Sequence, residues 1–262
     1  MPVAALPAQH AAAAPILQVA SWNLQSCRRG IPGIVKALKS LDADVVAFQE
    51  VDRGTRRSGQ LDQVAVLAKE AGFPFFHFFP ALDWDIGEYG LALASRHPIV
   101  DPRVVHLPVT ANIEPRILAS AVVLLPTGPL SVNVTHLSHR VSEGKLRVEQ
   151  VRRIQEVLAR DPLPKVLIGD FNDTPGSGMH EAMAGAFEDA FEKAGEGSSG
   201  TFPLPLPFSP AVRIDYVWTS KELRAAKASV VETEASDHYI LTAKIVLPAA
   251  TLEAPRATAN GR

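Results

Sequence analysis

The sequence contains a single cysteine, Cys27, among its 262 residues, so an internal disulfide framework is excluded and the redox compartment is left open. It also has almost no net charge, since 26 basic and 28 acidic side chains leave a formal charge of -2 at pH 7. A chain without a net positive field does not attract nucleic acid as a whole. Any phosphate binding therefore has to come from local groups.

Long hydrophobic runs are missing as well, because no stretch approaches the roughly 18–20 apolar residues that a membrane helix needs. The beginning of the chain lacks the basic segment and apolar run of a secretory signal, which predicts a cytoplasmic protein, with secretion left open. Apolar residues still make up 47% of the chain, enough for a sizeable core. We expect a flexible segment at residues 1–14, one folded domain at 15–248 and a disordered tail at 249–262.

Strand and helix patterns alternate in two parts of the chain. Short apolar runs bounded by polar or turn residues, typical of buried strands, occupy residues 16–22, 45–48 and 165–168. Helical patterns cover residues 31–40, 61–71 and 142–160. In the third helix Ser142 is placed to cap the start, and Val151, Ile154 and Leu158 fall on one face.

Between and after these elements, strands follow one another with only turns between them, a spacing typical of antiparallel hairpins. The first group comprises residues 90–94, 104–107, 117–125 and 130–136, and the second comprises 214–218, 228–231 and 240–246. Strand groups separated by helices predict an α/β protein in which two packed, mainly antiparallel β-sheets are covered by helices, a four-layer α/β sandwich.

Polar side chains stand at the ends of five of these strands, four directly after a strand and one directly before the last strand, although burying them would be costly. They are found at residues 22–23, 49–50, 135–136, 169–172 and 236–238. Each site alone has a structural explanation, such as an Asx-turn or a solvated loop. Together they predict a phosphoryl-transfer site, since carboxylates hold Mg²⁺, imidazoles and amides hold phosphate oxygens, and an Asp can deprotonate water.

Seven short motifs, in order along residues 16–246, resemble the endonuclease/exonuclease/phosphatase superfamily, which is similar to pancreatic deoxyribonuclease and the abasic-site endonucleases. The motifs are 20–23 (Ala-Ser-Trp-Asn), 46–50 (Val-Ala-Phe-Gln-Glu), 90–95, 134–137, 168–172 (Ile-Gly-Asp-Phe-Asn), 213–217 and 236–238 (Ser-Asp-His). Residues 211–216 lack the pattern of inositol-polyphosphate phosphatases, and the context of Glu50 differs from that of abasic-site nucleases. The chain resembles the small bacterial members most.

The resemblance implies a Mg²⁺ or Mn²⁺ enzyme in which Glu50 is the main metal ligand, with Asn23 and Asp237 completing or orienting the shell. Asp170 would position or deprotonate the attacking water, and Asn172 would donate its amide to the phosphate.

The resemblance also implies roles for two histidines. His238 would contact the scissile phosphate while Asp215 holds its other ring nitrogen. His136 would protonate the leaving oxygen, with Glu88 as a candidate to orient it. His139 lies three residues after His136, and no role is assigned to it.

Arginines are the candidates for substrate binding. Arg116 resembles a family arginine on the phosphate side of the cleft, with a surface position as the alternative. Arg53, Arg56 and Arg57 follow the metal ligand and are candidates to grip a second phosphate or an anionic head group, or to form a solvated basic loop.

Three functions are compatible with this sequence. The first is a nuclease-like phosphodiesterase, the second a phosphatase or phosphodiesterase acting on a lipid or small phosphorylated metabolite, and the third a catalytically inactive binding module. The third is the weakest, because every motif residue of the site is present. The expected partner is a phosphate-ester substrate, and no obligate protein partner is evident.

Overall fold

Twelve strands and five α-helices form the part of the chain that the computed structural model describes, residues 14–110, 114–204 and 209–248. The strands are β1 (Ile16–Asn23), β2 (Val45–Arg53), β3 (Phe75–Trp84), β4 (Gly87–Ser95), β5 (Ile99–His106), β6 (Ile117–Leu125), β7 (Gly128–His136), β8 (Lys165–Asp170), β9 (Glu188–Asp189), β10 (Asp215–Thr219), β11 (Arg224–Val231) and β12 (Ile240–Val246). The helices are α1 (Ile31–Ser40), α2 (Gln63–Ala71), α3 (Gly144–Leu158), α4 (Gly178–Ala184) and α5 (Ala190–Ala194). Residues 1–13 and 249–262, which include most of the predicted flexible segment and the predicted tail, lie outside the described residues.

The strands form two six-stranded sheets, in the orders β11-β12-β1-β2-β4-β3 and β5-β6-β7-β8-β10-β9. Each sheet contains one parallel pair, β1 with β2 and β7 with β8, and its other pairs are antiparallel. Parallel strands end at the same edge of a sheet, so the carboxyl ends of β1 and β2 meet, as do those of β7 and β8.

Alternation along the strands builds the core in three parts. In β1, Leu17 and Val19 point between the sheets, while Ala20 and Trp22 point outward toward α1 and α2. The outer face of the second sheet packs against α3 and α4 in a third cluster, which includes Phe171. Helices, two sheets and helices therefore form four layers, and the predicted α/β sandwich is confirmed.

Three helices lie where the sequence patterns predict them, and their ends differ from the predicted ends by at most two residues. Helix α1 has the predicted bounds, whereas α2 begins at Gln63 because Asp62 caps it by accepting a hydrogen bond from the Ala65 amide. The expected cap at Ser142 is wrong: a 3-10 turn from Val141 to Glu143 precedes α3, and its N-cap, Glu143, makes no side-chain capping bond. In the described ranges, no helix combines the length and apolar character needed to cross a membrane.

Strand pairing corrects both predicted strand groups. Strand β4 pairs with β2 and β3 in the first sheet, but β5 pairs with β6 in the second, so the chain changes sheet between Ser95 and Ile99. Pro98 lies in this connection, and its missing N–H cannot continue a hairpin ladder. In the same way, β10 joins β8 while β11 and β12 join the other sheet. Neighbouring strands in the sequence need not be neighbours in a sandwich.

The one cysteine gives a simple test of the packing around β1. Cys27 is buried, and burial, together with the negative charge of Asp52, raises the pKa of its thiol to about 12. Because only the thiolate reacts, we expect a disulfide reagent at about pH 8 to react about 10³-fold more slowly with the native protein than with the chain in denaturant. Similar rates, measured by reagent absorbance, would show that this end of the sandwich is open.

Candidate active site

Strand pairing brings the predicted polar residues to one end of the sandwich. The parallel pair β1 and β2 places Asn23 opposite Gln49. In the second sheet, β8 places Asp170 opposite both His136 of β7 and Asp215 of β10. Asp170 is therefore flanked on both sides by polar residues of neighbouring strands.

A glycine allows the close approach of β7 and β8 at this point. A Cβ atom on Gly169 would lie 2.0 Å from the carbonyl oxygen of Thr135. Since real Cβ contacts are never that short, a larger residue would push the two strands apart just before Asp170 and His136. The glycine of the Gly-Asp-Phe-Asn motif thus serves the geometry of the two residues that follow.

A β-bulge directs Glu50 into the site. The pairing register of β2 with β4 shifts between Phe48 and Val51, and Glu50 takes a left-handed backbone conformation with φ of 56°. Such a conformation is unfavourable for a residue with a side chain and recurs at functional sites. The bulge keeps Gln49 buried and leaves Glu50 half-buried, with its carboxylate at the end of the sandwich.

Asn23 joins the two sheets at the site. Its Nδ2 donates to Oε1 of Glu50 at 3.1 Å and to Oδ2 of Asp170 at 3.2 Å. The other oxygen of Asp170 accepts a hydrogen bond from the backbone amide of Asn172 at 2.9 Å. Asp170 is thus held at both oxygens and is 1% exposed, so its orientation is fixed.

Two histidines approach the same carboxylate oxygen of Asp170. The Nε2 atom of His136 lies 3.5 Å from Oδ2, and that of His238 lies 3.7 Å from it. Nδ1 of His238 bonds Oδ2 of Asp215 at 2.9 Å. Because a carboxylate accepts hydrogen bonds, this nitrogen carries a proton.

The two histidines differ in charge. Burial lowers the pKa of His238, but the charge and hydrogen bond of Asp215, together with the charge of Asp170, outweigh burial and raise it. Burial and the positive charge of Arg116 lower the pKa of His136 well below its usual range. Burial also raises the pKa of Asp170, and the neighbouring Asp215 raises it further. The site therefore combines a cationic imidazole, a neutral imidazole and an unusually basic carboxylate.

The residues predicted to bind metal fit a divalent cation. Burial raises the pKa of Glu50, with smaller contributions from the charges of Asp237 and Glu114. In the described part of the chain, neither Glu50 nor Asp237 lies within 4.0 Å of a lysine or arginine nitrogen. Partly buried carboxylates without a positive partner are the donors that Mg²⁺ or Mn²⁺ prefers, and the amide oxygen of Asn23, which accepts from the backbone of Gln25, is a further oxygen donor.

Comparison with known proteins identifies the family. The family model described as the endonuclease/exonuclease/phosphatase family matches residues 20–238, a range that holds every predicted site residue. The chain belongs to this family. Its members are hydrolases that act on phosphoesters and generally use divalent metals. A search of curated proteins gives no match.

Solved structures of the family share the fold. An endonuclease/exonuclease/phosphatase from Beutenbergia cavernae is 26% identical with a TM-score of 0.74, over 90% of this chain and 72% of that one. A family protein from Bacteroides thetaiotaomicron is 22% identical with a TM-score of 0.74, over 90% of this chain and 99% of that one. A mannosyl-6-phosphatase from the same species is 23% identical with a TM-score of 0.70, over 88% of this chain and 100% of that one.

Arg116 lies in the site of this family member. It is 3% exposed, and its Nη1 donates to Oε1 of Glu114 at 2.9 Å and to Nδ1 of His136 at 3.0 Å. Since a guanidinium only donates, Nδ1 of His136 is an acceptor, and the proton of this imidazole is on Nε2, toward Asp170. Nη2 of Arg116 contacts Nδ1 of His139 at 3.0 Å.

The structure does not bring Arg53 into this group. Its Nε donates to Oε2 of Glu88 at 2.8 Å, and its guanidinium lies 4.4 Å from the ring centre of Phe78. Glu88 therefore holds Arg53, whereas Arg116 contacts His136 in the place considered for Glu88. Arg56 pairs with Asp85 on the surface.

A cavity of about 220 Å³ opens beside His136 and His139, and Arg57, not Arg53, reaches it. Its lining includes Glu50, Arg57, Trp84, Tyr89, Arg116 and His136. Sequence reasoning missed both aromatic residues, since neither lies in a family motif. A larger cavity of about 280 Å³, between β5, β6 and the end of α3, contains none of the predicted site residues.

Proposed function

We propose that this protein is a divalent-metal-dependent, nuclease-like phosphodiesterase in which Asp170 activates the attacking water. The observation that carries the proposal is the setting of Asp170: a buried carboxylate, held at both oxygens and flanked by a cationic and a neutral imidazole. A base is most effective when its pKa lies near the working pH, and burial raises the pKa of Asp170 in that direction.

Chemistry at the phosphate would use the chain's own groups as follows. Water attacks phosphorus in line with the leaving oxygen, and Asp170 takes the water's proton as the new P–O bond forms. The old P–O bond breaks on the opposite side, and the leaving oxygen departs with the bonding electron pair and takes a proton from solvent. His238, cationic and held by Asp215, donates to a non-bridging oxygen, where charge develops. Asn172 donates one amide hydrogen to the Leu137 carbonyl at 3.1 Å and keeps the second for the phosphate.

We propose for His136 a part other than the one that the family resemblance implies. In-line attack places the leaving oxygen on the side of phosphorus opposite the water. His136 lies 3.5 Å from the base that activates the water, so it is on the attacking side. We assign it to orient Asp170 and the phosphate through its Nε2–H, with Arg116 fixing this tautomer.

Glu50, Asp237 and Asn23 would hold Mg²⁺ or Mn²⁺. When bound, the metal ion supplies positive charge that stabilises the phosphoryl oxygens. The hydrogen bond from Asn23 to Glu50 and the bond from Gln25 to Asp237, 2.7 Å long, orient both carboxylates before metal binds.

A phosphatase or phosphodiesterase acting on a small phosphorylated metabolite or a lipid is the second candidate. The size of the cavity beside His136 favours it, because about 220 Å³ accommodates one small group. A mannosyl-6-phosphatase is among the similar folds, which supports this alternative only at the level of the scaffold.

Hydrolysis of bis-(p-nitrophenyl) phosphate and of p-nitrophenyl phosphate, side by side with Mg²⁺, Mn²⁺ or EDTA, tests the proposal. We expect metal-dependent cleavage of the diester and its loss in EDTA. Preference for the monoester would favour the second candidate, a phosphatase. No turnover of either by folded protein would favour the inactive module.

Glu50→Gln is the matched test of the metal ligand. It keeps the acceptor for Asn23 but removes the charge, so we expect half-maximal activity to need at least about tenfold more metal. Unchanged metal dependence would remove Glu50 from the metal site. Glu149→Gln, at an exposed position of α3 outside every motif, serves as the control.

A further inference from the structure

Arg57 is held more rigidly than a loop arginine needs to be. Its Nε and Nη2 donate to the two oxygens of Asp52 at 2.8 and 2.7 Å, and Nη2 also donates to Oγ of Ser26 at 3.0 Å. Asp52 is fully buried and accepts a further bond from Thr55 at 2.9 Å. The guanidinium is therefore fixed in orientation by groups that are themselves fixed.

Two aromatic rings and a strained turn complete this arrangement. The guanidinium carbon of Arg57 lies 4.9 Å from the ring centre of Trp84 and 5.5 Å from that of Tyr89. Ser26 has a left-handed backbone with φ of 50°, as do both of its neighbours, and Gln63 holds its carbonyl at 2.8 Å. Strained backbone persists where the surroundings enforce it, and here they enforce the position of the Ser26 hydroxyl.

The arrangement leaves donors directed at the cavity. Nε and Nη2 of Arg57 are occupied, which leaves Nη1, and 31% of the side chain stays exposed. Arg28 lines the same cavity and, among the described residues, has no carboxylate within 4.0 Å. Glu50 and His136 line it too, so a group beside Arg57 shares the cavity with the proposed metal ligand and with one of the two histidines at Asp170.

We propose that Arg57 and Arg28 form a second anion subsite, which binds a phosphate group of the substrate next to the one that is cleaved. The inference rests on the proposed function and names its substrate class: phosphodiesters that carry a second phosphate. That phosphate has two possible sources, the next unit of an oligonucleotide or the terminal phosphate of a small diester. A guanidinium with a preset plane suits it because little side-chain freedom is lost on binding.

Two pairs of chromogenic diesters test the subsite and separate the sources. One pair is thymidine 5′-(p-nitrophenyl phosphate) with and without a 3′-phosphate. The other is p-nitrophenyl ethyl phosphate with and without a phosphate on the ethyl group. We expect the wild-type protein to prefer the second phosphate by about 10- to 100-fold in kcat/KM, the effect of one charge-assisted hydrogen bond. A preference confined to the thymidine pair indicates oligonucleotides, and one in the ethyl pair indicates small diesters.

The decisive variant is Asp52→Asn combined with Arg57→Gln. Arg57→Ala alone would leave Asp52 charged and unpaired in the interior, where it would destabilise the fold. The double variant removes one positive and one negative charge, so the local net charge is unchanged and only the donor geometry is lost. We expect the preference for the second phosphate to fall to about one. Arg56→Gln combined with Asp85→Asn removes a surface pair outside the cavity and should keep the preference.

Failure of the subsite and failure of the proposed function give different results. Hydrolysis of both members of each pair without preference, or a preference that survives in the double variant, would overturn the subsite and leave the diesterase proposal standing. If no diester is cleaved, the subsite is tested by binding. The affinities for methylphosphonate and for methylenediphosphonate are then measured by calorimetry in EDTA. Tighter binding of the diphosphonate that the double variant loses supports the subsite, and equal binding of the two overturns it.

Discussion

Asp170→Asn should abolish most of the activity and leave the fold intact. The amide has the shape of the carboxylate but only one acceptor oxygen, so it can keep the hydrogen bond from the backbone of Asn172 while the one from Asn23 is lost. It cannot take a proton from water, and loss of a general base typically costs about 10²–10⁴-fold in rate. Because Asp215 raises the pKa of Asp170, removing one of these neighbouring charges also relieves repulsion in the native state.

The two readouts together separate this role from a structural one. Diester hydrolysis at saturating metal gives the rate, and thermal unfolding gives the stability. A rate within about threefold of wild type would exclude Asp170 as the base, and a large fall in melting temperature would mean that its charge holds the site together. Asp101→Asn, on the exposed edge strand β5, is the matched control and should change neither.

The layers of the fold could be predicted from the sequence because local patterns carry that information. Alternation in β1 and the helical face of Val151, Ile154 and Leu158 each depend on a few consecutive residues. Strand pairing depends on which sheet the chain enters after each turn, and no local pattern specifies that. The connection from Ser95 to Ile99 is as short as a hairpin turn but crosses between the sheets.

In the candidate site, too, some residues could be predicted from the sequence and others could not. Most of the predicted site residues lie at the ends of paired strands, so strand pairing brings them to the same end of the sandwich. They are Asn23, His136, Asp170, Asp215 and His238. The sequence does not indicate which of the three arginines after Glu50 reaches the cavity. Arg57 reaches the cavity because Asp52, at the end of the bulged strand, is buried and binds it. The position of Arg57 therefore depends on a β-bulge and on a buried carboxylate, and the spacing of residues along the sequence predicts neither.

Replacement of His238 by asparagine should lower the rate by about 10²–10⁴-fold with little loss of stability. His238 is buried, and its Nδ1–H satisfies one oxygen of Asp215, whose other oxygen has no hydrogen-bond partner in the described residues. An asparagine amide can occupy the place of Nδ1 and keep that bond. It has no group in the place of Nε2, which would contact the phosphate, so binding of the developing charge is lost.

His238→Ala completes the argument, because it removes both nitrogens. A charged Asp215 would then be buried without a partner, and we expect a melting temperature clearly below that of His238→Asn at a similarly low rate. These results for the asparagine and alanine variants would show that Nδ1 of His238 stabilises the fold and that Nε2 takes part in the reaction. Retained activity in the asparagine variant would instead make His238 a buried structural histidine, held by Asp215 and packed 4.9 Å from the ring of Phe202.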